Sequence, residues 1–179
     1  MAAARTLALK PAVKIQFERF HPMNQAHSND SPREAAAIRH AETEQELRAC
    51  FPVMHELRPQ LTDEEDLLQR IQRMRGQGYQ LLAAWRGHKP LALAGYRLQE
   101  NLIYGRFLYV DDLIVTQASR GQRLGAQLLQ YLRAQAHKAG CDALVLDTAL
   151  SNALGQRFYF RQGLLTRAIR FSVPVAETA

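Results

Sequence analysis

A turn rich in arginine and glycine, residues 119–126, holds the side chains of this 179-residue chain that point most directly to chemistry. It connects an apolar strand to a long amphipathic helix. The first turn of a helix has unpaired backbone N–H groups and the positive end of the helix dipole, so it binds phosphate readily. Gly121 and Gly125 let the backbone come close to a ligand. Arg120 and Arg123 add positive charge. Alone, the turn is equally consistent with an ordinary strand-to-helix connection that carries two solvated arginines.

The elements on either side of this turn are well marked. Residues 107–115 read as an apolar strand, and residues 124–136 as a helix whose apolar side chains recur every four residues. Gly140 is a suitable stop for that helix. A second apolar strand and a short helix with the aromatic pair Phe158 and Tyr159 follow. The whole unit indicates both a type of ligand and a type of reaction.

Two short motifs in this unit carry a family resemblance. Residues 120–125, followed by Ala126, match the pattern Gln/Arg-x-x-Gly-x-Gly/Ala between a strand and a helix, with Arg123 where the first glycine usually stands. A second pattern combines an asparagine, a small residue, a tyrosine and a glycine, which here are Asn152, Gly155, Tyr159 and Gly163. In this order, the motifs resemble motifs A and B of the GNAT superfamily of acyl-CoA N-acyltransferases. The resemblance covers roughly residues 36–174.

The resemblance implies a fold, a donor and a binding site. The fold is α/β (α+β), a mixed twisted sheet of about six to seven strands with helices on both faces. The donor is acetyl-CoA, with its pyrophosphate on the N–H groups of the turn and its pantetheine arm added to the strand edge. Asn152 would bond the pantetheine side, or cap a helix, or do both. No metal is implied. The implied cofactor-binding residues are Leu113, Ile114, Val115, Arg120, Gly121, Gln122, Arg123, Leu124, Gly125, Ala126, Asn152 and Tyr159.

The family position of Tyr159 implies a general acid. Acyl transfer from a thioester to an amine expels a thiolate, which a nearby phenol can protonate. The competing interpretation is an aromatic side chain packed on the sheet, and for Phe158 we adopt it.

Asp111 and Asp112 are the candidate general bases. Acidic residues are depleted in apolar strands, and an alkylammonium must lose a proton before it attacks. Strict alternation places Asp111 with Tyr109 and Leu113, and Asp112 on the opposite face, but a β-bulge would break that alternation. The sequence therefore ranks neither first. A surface carboxylate paired with an arginine, or a base acting through ordered water, also fits.

The composition describes an ordinary single domain. Hydrophobic residues make up 47% and charged residues 22%, which suits one full core. No apolar run is long enough to span a membrane, and the six histidines with Cys50 and Cys141 show no metal-ligand spacing. The cysteines read as reduced core thiols, which predicts a cytoplasmic compartment.

The net charge of +6 permits nucleic-acid binding, yet no basic cluster with interleaved aromatics is present. We therefore expect acetyl-CoA and a small amine as partners, and neither nucleic acid nor membrane. A homodimer is compatible with the sequence.

The first 34 residues differ from the rest. They are basic, and residues 22–34 are rich in turn-forming residues, which predicts a flexible extension at 1–34 before an N-acetyltransferase domain at 35–175. An organelle transit peptide and a true start at Met23 are the alternatives.

Within the domain, the element order is β-α-α-β-β-β-α-β-α-β. Capping boxes at residues 43–46 and 62–65 open two helices, and Pro52 should kink or split the first. Residues 79–98 read as a hairpin. Residues 165–175 read as a final strand, because Ile169, Phe171 and Val173 alternate with polar residues.

The acceptor is the least defined partner. The resemblance places it among residues 51–59, Tyr79, Tyr96, residues 104–107 and residues 167–171. The C-terminal run somewhat resembles the end of aminoalkylphosphonate acetyltransferases, so Arg167 and Arg170 either meet an anionic group or are exposed strand arginines. Four acidic residues either attract a cationic amine or cap helices: Glu56, Glu64, Glu65 and Asp66.

The expected function is acetyl transfer to a primary amine, with a small molecule as acceptor. The alternatives are an acyl-CoA-binding module without catalysis and a protein or peptide N-acetyltransferase. A basic nucleic-acid-binding domain is disfavoured by the strands around the turn.

Overall fold

The computed structural model describes residues 35–175. The extension predicted at residues 1–34, with its alternative start at Met23, lies outside that range. The described elements are β1 (Ala37–His40), α1 (Glu44–Ala49), α2 (Phe51–Leu57), α3 (Glu64–Arg75), β2 (Gln80–Arg86), β3 (Lys89–Asn101), β4 (Gly105–Val115), α4 (Leu124–Lys138), β5 (Ala143–Leu146) and α5 (Ala153–Arg161), with a short 3-10 turn at Gln117–Ser119 before α4.

The five strands form one sheet in the order β1-β2-β3-β4-β5. The first four are antiparallel neighbours, whereas β5 runs parallel to β4, with Phe107 opposite Ala143 and Val110 opposite Leu146. A parallel pair needs a long crossover connection, and α4 supplies it. The turn that opens α4 therefore lies at the C-terminal end of β4.

Helices cover both faces of the sheet. On one face, α1 and α3 pack through Leu47, Leu67 and Ile71 onto a buried cluster that includes Tyr79. On the other face, the stripe of α4 packs through Leu128 and Leu132 onto the sheet. The predicted mixed sheet with helices on both faces is confirmed.

The helix ends follow local sequence signals. Thr43 and Glu46 form the expected capping box of α1. Pro52 lies in the first turn of α2, so it splits the predicted helix into α1 and α2. The cap of α3 is shifted by one residue, since Asp63 accepts from the backbone N–H of Asp66.

The strand count differs from the prediction. The described residues form five strands rather than six to seven, and residues 165–175 are not a strand. Their alternating apolar side chains are exposed, with Phe171 at 90% and Val175 at 97%. A strand is stabilised by a hydrogen-bonded neighbour, and no strand of the described range pairs with this segment.

One irregularity in β4 decides the orientation of the two candidate bases. Asp112 lies opposite Gly95, but Val110 lies opposite Tyr96, so Asp111 is an extra residue in a β-bulge. The β-bulge considered for this strand is therefore present, and it breaks the strict alternation of Asp111 and Asp112. Val110 packs with the α4 cluster, whereas both carboxylates bond to side chains on the opposite face of the sheet.

Candidate functional site

The turn at residues 119–126 has the backbone that its glycines suggest, with one arginine in a glycine-like conformation. Gly121 has φ +80°, and Arg123 is the only non-glycine residue with positive φ in the described range, at +61°. Left-handed backbone costs a side chain of this kind about 1–2 kcal/mol. This cost explains why glycine usually occupies the position of Arg123. The arginine nevertheless adopts the left-handed backbone that glycine would adopt there.

The N-terminus of α4 is open to a ligand. No side chain caps it within residues 35–175, and its first residues are Leu124, Gly125 and Ala126. Uncapped N–H groups at a helix N-terminus bind anions. Gly125 also serves packing, because an added Cβ would lie 3.3 Å from Phe158 and 3.4 Å from Val115. The glycine thus lets α5 pack against α4, which confirms a packing role for Phe158.

The two parallel strands part beyond Val110. Among residues 35–175, β5 pairs with β4 only over Phe107–Val110, and β4 continues to Val115 without a described partner on that side. The backbone edge at Leu113, Ile114 and Val115 is therefore open. An open edge of this kind accepts an extended chain through main-chain hydrogen bonds.

Asn152 acts as the N-cap of α5. Its side-chain oxygen accepts from the backbone N–H of Gly155 at 3.0 Å, and its amide donates to Thr148 Oγ1 at 3.1 Å. A Cβ on Gly155 would lie 2.5 Å from the Asn152 amide, so this cap requires a glycine three residues on. The helix cap thus explains both the asparagine and the small residue of motif B. A role of Asn152 toward pantetheine stays a prediction.

A large cavity lies between β4, β5, α5 and the C-terminal segment. Its volume is about 1180 Å³, and both Asp111 and Tyr159 line it. The Tyr159 ring packs edge-on against Phe158, and its hydroxyl makes no hydrogen bond within the described range. The structure therefore brings one candidate base and the candidate acid to one cavity.

Asp112 does not line this cavity. It is 8% exposed and accepts hydrogen bonds from Arg58 Nε at 2.8 Å and from the Tyr79 hydroxyl at 2.8 Å. Arg58 also donates to the backbone oxygen of Asp111 at 2.9 Å. These contacts fix the bulge and engage both carboxylate oxygens of Asp112, so its position is structural.

Burial raises the pKa of both Asp111 and Tyr159. Burial raises the pKa of Asp111, and the hydrogen bond from Arg97 at 3.0 Å opposes that rise. A carboxylate with a raised pKa is a stronger base. Burial also raises the pKa of Tyr159, which keeps the phenol protonated but makes it a weaker acid, so donation by Tyr159 has to depend on its position.

The acceptor residues implied by the resemblance divide into two groups. Arg58, Tyr104 and Arg167 line the large cavity. Tyr79 and Tyr96 are buried in the core, and Tyr96 lies on the α4 face, where its hydroxyl donates to Gln80 at 2.8 Å. Neither of these two tyrosines lines the large cavity.

Three of the four acidic residues considered for a cationic amine have partners elsewhere. Asp66 pairs with Arg70, and Glu65 with Arg48. Glu56 accepts from the backbone N–H of Gln117. None of them lines the large cavity.

Sequence reasoning missed the partners of the aspartates. Arg58 follows α2, whereas Gly95 and Arg97 lie in β3, and no short motif connects them with β4. The only available signal was an unusual run of two acidic residues in an apolar strand, which requires cationic or hydrogen-bonding neighbours.

The described residues were also compared with what a metal site and a membrane-spanning helix require. Within residues 35–175, no group of three His, Cys, Asp or Glu side chains could hold a metal ion. No helix in that range combines the length and apolar character needed to cross a membrane.

Comparison with known proteins identifies the family. The family model described as "Acetyltransferase (GNAT) family" matches residues 40–164. The chain belongs to this family and is an acyltransferase. It is 30% identical over 135 residues to the uncharacterized N-acetyltransferase YhdJ of Bacillus subtilis, which covers 74% of this chain and 94% of that protein.

Two other similarities bear on the ligands. The aminoalkylphosphonate N-acetyltransferase of Salmonella typhimurium is 28% identical over 90 residues, which covers 50% of this chain and 58% of that protein. The structure of aminoglycoside N-acetyltransferase AAC(6')-Iy in complex with CoA superposes with a TM-score of 0.70 at 16% identity, covering 82% of this chain and 99% of that one. The latter likeness shows the shared fold, and that structure contains bound CoA.

Proposed function

We propose that this chain transfers an acetyl group from acetyl-CoA to the primary amine of a small molecule by direct attack. Asp111 is the general base and Tyr159 the general acid. The observation that carries the proposal is that both side chains line one cavity beside the point where β4 and β5 part.

Groups of this chain bind the donor and transfer the protons. The open edge at Leu113, Ile114 and Val115 orients the thioester arm, and the uncapped N-terminus of α4 holds the pyrophosphate. Asp111 accepts the proton that the ammonium group of the acceptor loses, directly or through water. The freed amine nitrogen forms a bond to the thioester carbonyl carbon, the carbon–sulfur bond breaks, and the nitrogen releases its second proton to water. Tyr159 donates its phenolic proton to the leaving thiolate and is reprotonated from solvent.

The cavity favours an acceptor that carries an anionic group. Four arginines and two aspartates line it, namely Arg58, Arg133, Arg167, Arg170, Asp111 and Asp147. Arg58 is paired with Asp112, and Arg170 with Asp147. Arg167 makes no ion pair with the described residues and is available to a phosphonate, phosphate or carboxylate. The similarity to an aminoalkylphosphonate N-acetyltransferase supports the same class of acceptor.

An amine panel tests this function. The chain is mixed with acetyl-CoA and, in turn, an aminoalkylphosphonate, a neutral alkylamine, a polyamine, an aminoglycoside and a peptide with a free N-terminus. Free thiol release and the mass of the acceptor are followed. We expect turnover with a small primary amine and the lowest KM for the anionic one.

Turnover restricted to the peptide would identify a protein or peptide N-acetyltransferase instead. If acetyl-CoA binds and no acceptor releases thiol, the chain is an acyl-CoA-binding module and the catalytic proposal fails.

A further inference from the structure

Helix α2 holds the end of β4 that has lost β5 as a neighbour, and it does so at two points. Arg58, the residue that caps α2, contacts residues 111 and 112 at the β-bulge. Glu56, in the last turn of α2, accepts from the backbone N–H of Gln117 at 3.1 Å, just beyond the end of β4. The open edge at residues 113–115 lies between the two contacts. Helix α2 therefore supports β4 on both sides of the edge proposed for the donor.

The first contact fixes the backbone that carries the candidate base. Arg58 Nη2 donates to the backbone oxygen of Asp111 at 2.9 Å, while its Nε donates to Asp112 Oδ1 at 2.8 Å. The backbone of Arg58 is itself anchored, because its N–H donates to the Met54 oxygen at 2.8 Å and its oxygen accepts from the Leu61 N–H at 3.0 Å. A planar guanidinium presents its donors in a rigid fork, unlike a lysine ammonium. The Asp111 peptide is thus held at a fixed distance from α2.

The second contact fixes the connection from β4 to α4. Gln117 begins the short 3-10 turn that leads into the turn at residues 119–126. Its N–H donates to a carboxylate, which makes the hydrogen bond charge-assisted. The preceding Thr116 N–H donates to the Leu91 oxygen of β3 at 3.0 Å. The entry to the donor turn is therefore held from both α2 and β3.

We infer that α2 positions the two halves of the site separately, with Arg58 holding the base Asp111 and Glu56 holding the turn that receives the donor. This inference rests on the proposed function, which supplies the roles of Asp111 and of the turn. Both side chains act through other groups, so they are positioning residues. A displacement of about 1 Å at a reacting group can cost about 100-fold in rate. Arg58 should therefore act on kcat, and Glu56 on the affinity for the donor.

Steady-state kinetics with the best acceptor of the amine panel, together with calorimetric titration with acetyl-CoA, tests Arg58. Arg58→Lys keeps a cation beside the buried Asp112 but loses the fork, so it should lower kcat about tenfold and leave the Kd for acetyl-CoA within about twofold. Arg58→Ala should lower kcat further. Arg75→Ala is the control, because Arg75 also donates to loop backbone, at Ala41 and Glu42, but away from the large cavity. It should lower stability and leave kcat unchanged.

A matched pair of variants tests Glu56. Glu56→Ala and Glu56→Gln remove the same charge, but the glutamine amide oxygen can still accept from the Gln117 N–H. Glu56→Ala should weaken acetyl-CoA binding about threefold or more, which is the usual effect of losing one hydrogen bond. Its kcat at saturating acetyl-CoA should stay within about twofold of that of the parent chain. Glu56→Gln should recover most of the lost affinity.

Unchanged kcat in both Arg58 variants would overturn the inference. A raised acceptor KM with unchanged kcat would also overturn it, because Arg58, which lines the large cavity, would then be a substrate contact. Equal loss of donor affinity in Glu56→Ala and Glu56→Gln would assign the effect to charge alone and contradict the role of Glu56. If the parent chain turns over no acceptor, the proposed function itself fails, whereas the other outcomes leave it standing.

Discussion

The Tyr79 hydroxyl donates a 2.8 Å hydrogen bond to Asp112 Oδ2, and the space in which they meet exists because residue 95 is glycine. A Cβ at Gly95 would lie 2.0 Å from the Tyr79 oxygen and 2.6 Å from Asp112 Oδ2. Burial, followed by the charge of Asp112, raises the pKa of Tyr79 well above its ordinary value, so the phenol stays a donor. A buried glycine, a tyrosine and an aspartate from three strand regions thus fix the bulge that presents Asp111.

Gly95→Ala should lower the free energy of unfolding by about 1–3 kcal/mol, because neither neighbour can move without breaking the buried hydrogen bond. Urea unfolding measures the change. Gly76→Ala is the control, since Gly76 has φ −60° and its added Cβ would approach nothing closer than 3.3 Å. A Gly95→Ala protein as stable as the control would show that the close approach is not a constraint.

Arg97→Ala should move the acidic limb of the pH profile of kcat/KM to higher pH. Activity requires the Asp111 carboxylate, whose pKa is already raised by burial above the ordinary 3.8 and is held down by the Arg97 hydrogen bond. Without Arg97 the pKa rises further, so a higher pH is needed to ionise Asp111. Arg97→Lys keeps the charge and should shift the limb less. A limb that stays in place, or moves to lower pH, would exclude Asp111 as the titrating base.

Arg123→Gly should leave the free energy of unfolding equal to or above that of the parent chain. The substitution relieves left-handed backbone at φ +61°, worth about 1–2 kcal/mol, and this offsets the flexibility that glycine adds to the unfolded chain. Arg120 has φ −61°, so Arg120→Gly has no strain to relieve and should cost about 0.5–1 kcal/mol. Urea unfolding compares the two. An equal or larger loss for Arg123→Gly would contradict this explanation of the turn.

Tyr159→Phe should lower kcat by about 100-fold or more while acetyl-CoA still binds, because only the proton donor is removed. Steady-state kinetics and calorimetric titration separate the two effects. Tyr131→Phe removes a hydroxyl from α4, outside the large cavity, and should change neither kcat nor acetyl-CoA binding. Undiminished turnover in Tyr159→Phe would assign the acid to another group or to water.

Much of the fold could be predicted from the sequence because its signals are local. The stripe of α4, the capping box at Thr43 and the split at Pro52 each depend on residues within a few positions of one another. The segment at 165–175 was not predictable in this way. Its alternating pattern is that of a strand, yet strand formation depends on a neighbour that residues 35–175 do not provide.

The candidate site likewise combines features that local sequence patterns predict with features that depend on contacts between distant residues. The anion-binding turn and the spacing from Asn152 to Tyr159 are local patterns, and the structure gives a physical reason for two of their small residues, Gly125 and Gly155. The choice between Asp111 and Asp112 depends on a bulge and on two arginines distant in sequence. Those contacts arise only when α2, β3 and β4 meet, so alternation along one strand could not decide between the carboxylates.

The most direct test compares Asp111→Asn with Asp112→Asn in the same transfer assay, with urea unfolding of each protein alongside. Asp111→Asn should fold normally, bind acetyl-CoA and lose about 100-fold or more in kcat/KM. Asp112→Asn should unfold at lower urea concentration, because it weakens the buried contacts to Arg58 and Tyr79, and its folded fraction should still turn over. Near-normal turnover in Asp111→Asn, or loss of turnover in a fully folded Asp112→Asn protein alone, would contradict the account.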